Sequence, residues 1–263
     1  MPAGDHGGNG VGWRRRFIGA LPAAALLAVA LPVRAAAAAA PLRVVTLGIE
    51  PFGSYDAAGR AVGVYVDLAA SLSRESGIAF SNTVAPYPRA MAMMERGDAD
   101  LVFSIPNSKL EQVARPLLAL FKGDIVIVGR AGTRYKDLAD LHGKMVGQIR
   151  GAEYVPAFLS DTAISKHETI STEQTMRMLL EGRLDAAIGF RHAMFYSLRS
   201  MKVAREKLGP TLLLTQLDVF MYLARSIRDP VIAATLLKAM TALRDRGVVK
   251  DILERYFGGL PKE

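Results

Sequence analysis

Three arginines in this 263-residue chain stand where an anion could be gripped: Arg89, Arg150 and Arg191. A guanidinium holds a carboxylate or phosphate through two parallel hydrogen bonds. Tyr87 lies two residues before Arg89, and Phe190 directly before Arg191, so each offers an apolar wall. Gly151 follows Arg150 and leaves the backbone open to a close approach by an anion. Glu50 could hold an ammonium, and Tyr55, Ser104 and Gln148 add hydrogen-bonding groups. The candidate ligand set is therefore Glu50, Tyr55, Tyr87, Arg89, Ser104, Gln148, Arg150, Gly151 and Phe190, and its chemistry is non-covalent capture. Covalent and metal chemistry find little support. There is no cysteine, and His6, His142, His167 and His192 form no pair at helical spacing. No metal and no cofactor is expected. Glu50, Glu153 and Glu173 are general acid or base candidates, but no nucleophile stands paired with a base.

The elements that must position these residues repeat. MAMMERGDADLVFS (91–104) and MLLEGRLDAAIGF (178–190) share one plan: helix, glycine stop, aspartate, strand. Gly97 and Gly182 are expected to take the left-handed conformation that ends a helix. Asp100 and Asp185 are expected to bond nearby backbone rather than act in catalysis. Around the first copy the pattern predicts strands at 43–49, 78–85 and 99–104, with helices at 64–77 and from about Pro88 to Arg96. Around the second it predicts strands at 123–129, 144–149, 167–171 and 184–190. The helices there are 135–143, one opening near Gly151, 171–182 with a Ser171–Gln174 capping box, and 192–201. One or two strands in 211–225 and helices over 229–247 and 248–258 close the chain. Alternating strands and helices imply parallel sheets. Ligands then sit at the carboxyl ends of strands, against helix N-termini, which is where the candidate residues fall.

The first forty residues read differently. Arg14, Arg15 and Arg16 precede an apolar run, FIGALPAAALLAVALPV, and then six alanines. Basic, apolar and small residues in that order make an export signal, with cleavage expected between Ala36 and Pro41. An uncleaved anchor is the competing reading. RRRFI is similar to a twin-arginine motif, though Trp13 and Gly19 depart from it, so the export route stays open. The leader holds four of the 33 basic residues and one of the 25 acids, which leaves 29 against 24, or +5, on the remainder. Half the chain is apolar and 22% is charged, enough for two modest domains. No basic run with interleaved aromatics points to nucleic acid.

Five segments taken in order resemble the periplasmic solute-binding proteins of family 3, the amino-acid type serving ABC importers. They are EPFGSYDAAGRAVGVYVDLA (50–69), ERGDADLVFS (95–104), DLADLHGKMVGQIRG (137–151), LLEGRLDAAIG (179–189) and DPVIAATLLKAMTALRDRGVVKDILERYFGG (229–259). The resemblance implies an α/β, two-lobed periplasmic binding protein-like fold, each lobe a mainly parallel sheet flanked by helices. It places lobe 1 at 42–124 plus 217–263 and lobe 2 at 125–216. The lobes are joined by crossing segments near 121–128 and 214–222 and close on a ligand. It further implies a non-enzymatic monomer in the periplasm that delivers a small molecule to a membrane permease. Tyr87 aligns with the family's stacking aromatic. Two departures stand out. The stretch IPNSKLEQVA (105–114) lacks the arginine that usually takes a ligand carboxylate, and Phe190 replaces the aspartate that usually takes the ammonium. The ligand is then expected to be a small polar or anionic organic solute, not an α-amino acid clamped by charge at both ends. Two other classes remain: a dehydratase of cyclic prephenate-like acids on the same fold, and an accessory or sensing module of another periplasmic system.

Overall fold

The computed structural model describes residues 40–258. The expected leader lies outside them apart from Ala40, as do residues 259–263.

The apolar run after Pro41 forms strand β1 (Leu42–Leu47), buried except at Arg43. A short hairpin follows, β2 (Ser54–Tyr55) with β3 (Ala61–Val62). Then come α1 (Val64–Ser76), β4 (Phe80–Ala85), α2 (Tyr87–Arg96) and β5 (Leu101–Ser104). Gly77 and Gly97 end the two helices at φ of 71° and 75°. Next, α3 (Ser108–Val113) leads into the 16-residue strand β6 (Ala114–Gly129). The second half carries β7 (Met145–Ile149), α4 (Pro156–Ser160), β8 (Ser165–Thr169), α5 (Thr172–Leu180), β9 (Ala186–Phe190) and α6 (Arg191–Ser200). The chain returns through β10 (Leu212–Ala224) and finishes with α7 (Pro230–Asp245) and α8 (Val248–Phe257).

Strand order explains the two lobes. The strands run β4-β1-β5-β10-β6-β9-β7-β8. The β4, β1 and β5 trio is parallel, and so is the β9, β7 and β8 trio. Between them β6 and β10 pair antiparallel from Ala114 to Ile127 of β6, β10 also pairing with β5 and β6 with β9. The long strands therefore belong to both halves, and the expected crossing segments lie within them. Register breaks at Val219/Phe220 and Met221/Tyr222 interrupt their ladder. Among the described residues no helix is long and apolar enough to cross a membrane.

Four expectations are corrected. The helix expected over 135–143 is a single 3-10 turn, Ala139–Leu141. The Asp140 carboxylate accepts from Lys136 N and the Asp137 carboxylate from Asp140 N, and such local bonds compete with a helix. The helix expected at Gly151 starts instead at Pro156, because Gly151 turns at φ 74° and proline fits a first helical position. β6 begins nine residues before the expected strand, since its first half is held by β10 rather than by its own apolar pattern. Helix α3 was not expected; the Asn107 side chain caps it by accepting from Lys109 N and Leu110 N.

Candidate functional site

The carboxyl ends of β1, β5, β7 and β9 meet along the seam between the lobes. Several hydrogen bonds cross it. Asn107 Nδ2 donates to Gly151 O at 3.2 Å. The Glu153 carboxylate accepts from Ser108 N at 2.9 Å and from Ser108 Oγ at 2.7 Å. The apolar core is also continuous across the seam, with Leu47 and Phe52 in one cluster with Ala152 and Tyr154. Phe190 from the second lobe meets Phe52 of the first edge-on, ring centroids 5.4 Å apart. Phe52 in turn stacks on Tyr65 at 4.9 Å. The lobes are shut on each other.

Among the described residues, three chambers lie along this seam. The innermost is about 20 Å³, enclosed by Phe52, Tyr87, Ser104, Tyr154 and Phe190. No charged side chain lines it. Phe190 reaches this position by lying over Gly123 of β6, where an added β-carbon would sit 2.0 Å from its ring. The outer chamber is about 540 Å³ and opens between α2, α3 and the turn after β7. Met91, Ala92 and Leu159 give it an aliphatic side; Asn107, Gln148 and Arg150 give it a polar one. Tyr87 is a wall of both chambers. A third chamber of about 280 Å³ lies beside Glu50, Tyr55, Ser171 and Glu173.

The electrostatics separate these spaces. Among the described residues, Tyr87 OH, Ser104 Oγ and Gln148 Oε1 are buried without a well-formed hydrogen bond, Ser104 being the near neighbour of the Tyr87 hydroxyl. A buried polar atom left unpaired costs about 1–3 kcal/mol, so three at one seam call for a partner, a water or a solute, that the protein itself does not supply. Burial raises the Tyr87 phenol above the tyrosine range and the neighbouring Glu153 carboxylate adds to it, while Ser104 and Asn107 beside the hydroxyl oppose it. Burial also raises Tyr154, with Tyr87 adding to the shift. In the third chamber, burial and then the facing Glu173 push Glu50 above the usual carboxylate range, with Ser54 opposing.

The nine candidate residues thus divide. Tyr87, Ser104 and Phe190 enclose the inner chamber; Gln148, Arg150 and Gly151 line the outer one together with Tyr87; Glu50 and Tyr55 belong to the third. Arg89 is exposed and lines none of the three. The expected arginine cluster is not assembled. Arg89 faces outward from the first turn of α2, Arg150 pairs on the rim with Glu168 at 3.2 Å, and Arg191 pairs with Asp124 of β6 at 3.3 Å. Each guanidinium of the last two already has its carboxylate. Sequence reasoning missed Tyr154, Lys109 and the Ser108–Glu153 latch. The only signal for Tyr154 was an aromatic three residues after a turn glycine.

Comparison with known proteins places this geometry. The model of the bacterial extracellular solute-binding proteins, family 3, matches residues 42–259. The chain belongs to this family. Solved structures similar to this family 3 protein include the P235GK mutant of ArgBP from T. maritima, with a TM-score of 0.71 and 18% identity, covering 83% of this chain and 95% of that one. Another is the arginine-, lysine-, histidine-binding protein ArtJ from Geobacillus stearothermophilus, at 0.71 and 19%, covering 85% and 97%. The GluR0 ligand-binding core from Nostoc punctiforme is similar at 0.69 and 19%, covering 82% and 99%. No curated protein sequence matches. At these identities the likeness establishes the two-lobed binding-protein fold and leaves the ligand to the residues of the seam.

Proposed function

We propose that this family 3 protein is an exported, monomeric receptor that captures a small polar organic solute between its lobes and delivers it to an ABC-type permease. In this reading the leader of residues 1–40 is removed on export to the periplasm. Lobe 1 is 42–124 with 217–263, and lobe 2 is 125–216. The observation that carries the reading is the set of partnerless buried polar atoms, Tyr87 OH and Ser104 Oγ from one lobe and Gln148 Oε1 from the other. A solute bonding to both sides at once favours the shut form over any open one, which is how a ligand shifts such an equilibrium. Binding rather than turnover is supported by Glu153, whose carboxylate is occupied by Ser108. The inner chamber, without a charged wall, disfavours a zwitterion clamped at both ends, since each buried charge needs a partner. Similar folds include the ligand-binding core of GluR0 and the BvgS VFT2 domain, so delivery to a permease is tested separately from binding.

The first test is a thermal-shift screen of the mature chain against amino acids, small carboxylates and neutral amides. A hit present at about a hundred times its dissociation constant adds roughly 2.7 kcal/mol to stability. The reading fails if no compound stabilises the chain. Intact mass of the protein in the periplasmic fraction checks the leader, and a retained full-length chain contradicts export. Uptake into vesicles carrying a candidate ABC permease, with and without the chain, checks delivery.

A further inference from the structure

The chamber of about 280 Å³ beside Glu50 lies on the seam, and none of the interlocked rings lines it. Its walls come from both sides of the seam. Glu50, the β2 hairpin and the end of β4 form one; the first turn of α5 with Ser197 and Ser200 of α6 forms the other. Two carboxylates line it from these opposite sides, Glu50 and Glu173. Glu50 is half-buried. The remaining titratable group on the walls is Tyr55, which is exposed. The end of β4 brings only apolar residues, and α6 only serines. Among the described residues no lysine, arginine or histidine lines the chamber. Arg177, one turn along α5, is engaged by Glu173.

We propose that closure of the two lobes takes up a proton: the shut form sets Glu50 against Glu173 in a chamber without a free cation, so acid favours the shut form and alkali the open one. This rests on the receptor reading above and adds a control to its cleft. In an open form both carboxylates stand in water, where charges more than about 10 Å apart are largely screened. Closing removes water from Glu50 and brings a second negative charge toward it. Both changes disfavour its ionised state, burial more than the charge. Ser54 favours that state, but it sits four residues from Glu50 on the same lobe, so its contribution is available open or shut. The Glu50 carboxyl therefore titrates higher in the shut form than in the open one. The stabilisation of the shut form is complete below the open-form value, about pH 4.3 for an ordinary glutamate, and is lost as pH rises through the shut-form value. A solute that prefers the shut form is then held more tightly on the acid side.

The chain contains no cysteine, so Ser81→Cys on β4 and Ser165→Cys on β8, both exposed, place one fluorophore on each lobe. Energy transfer in the labelled mature chain gives the ratio of shut to open molecules from about pH 8 down to about pH 4.5. Glu50→Gln keeps the shape of the side chain and removes its charge. Its ratio should exceed the parent's about threefold or more at about pH 8 and meet it at about pH 4.5, a comparison that cancels every other titrating group. Glu173→Gln should raise the ratio at the alkaline end by a smaller factor, since the burial of Glu50 remains. Circular dichroism confirms that both variants fold. A Glu50→Gln ratio equal to the parent's at every pH overturns the proposal, as does a gap that does not narrow in acid. An unchanged ratio in Glu173→Gln overturns it too, because the facing charge then plays no part. If pH leaves the ratio unmoved while a compound of the thermal-shift screen shifts it, the proton link falls and the receptor reading stands. If neither pH nor any compound moves it, both fall.

Discussion

The two copies of the helix–glycine–aspartate–strand unit share a plan and differ in the side chain that the neighbouring strand sets against their aspartate. In the first lobe, Asp100 N donates to Arg43 O and the Asp100 carboxylate accepts from Arg43 N at 2.8 Å. In the second, Asp185 N donates to Met145 O and the Asp185 carboxylate accepts from Met145 N, also at 2.8 Å. Each aspartate therefore clips the start of its strand to the start of the neighbouring parallel one. Arginine stands at 43 and methionine at 145. The Arg43 guanidinium forks onto Asp100 through Nε at 3.0 Å and Nη2 at 2.6 Å, whereas Met145 is an exposed apolar side chain at 42%. The clip is common architecture; the ion pair is an addition to one lobe.

That difference should be measurable. Asp100→Ala removes a clip and a charged fork from a buried carboxylate, and is expected to cost about 2–3 kcal/mol in denaturant unfolding. Equal costs for Asp100→Ala and Asp185→Ala would break the comparison. The second effect is on acid stability. Burial alone would raise Asp100, but the hydrogen bonds from Arg43 outweigh it and hold the carboxyl below the usual range. A folded pKa below the unfolded one contributes stability that is complete above about pH 5 and is lost as pH falls through the folded value. The gap between wild type and Asp100→Asn should therefore be flat above about pH 5 and shrink below about pH 4. A gap independent of pH would mean the fork contributes nothing. Asp185→Ala comes third, at about 1 kcal/mol, one backbone clip without a fork. Met145→Arg is the smallest, a gain under about 1 kcal/mol, because an exposed ion pair is screened by solvent. It should vanish when Asp185 is replaced in the same chain.

The clip was readable in the sequence because its parts are local: a glycine that stops a helix, an aspartate three residues on, then apolar residues. Gly97 and Gly182 do take left-handed conformations, at φ 75° and 78°. The capping box was nearly right. Ser171 Oγ accepts from Gln174 N, but the Gln174 side chain returns to Ile170 N rather than to Ser171. What local pattern could not supply was the partner of each charge. Arg150 and Glu168 are 18 residues apart, and Arg191 and Asp124 meet only because β6 and β9 pair. Arg89 could be placed on a helix from its neighbours, but not on the outward side of it. The chambers were equally hidden, because their size depends on how tightly the aromatic side chains of two lobes interlock.

The contact between Phe190 and Gly123 has a consequence for how this cleft can change over generations. With phenylalanine at 190, any side chain at 123 would collide with its ring, so the glycine is compelled by a residue 67 positions away. Replace Phe190 by a small or acidic residue and the veto on 123 lifts. The reverse order is closed: a side chain acquired first at 123 would drive the ring out and part the aromatic seam. The two positions form a one-way gate for drift, through which a descendant with a different cleft would pass at 190 before 123, and an engineer remaking this cleft would follow the same sequence of steps.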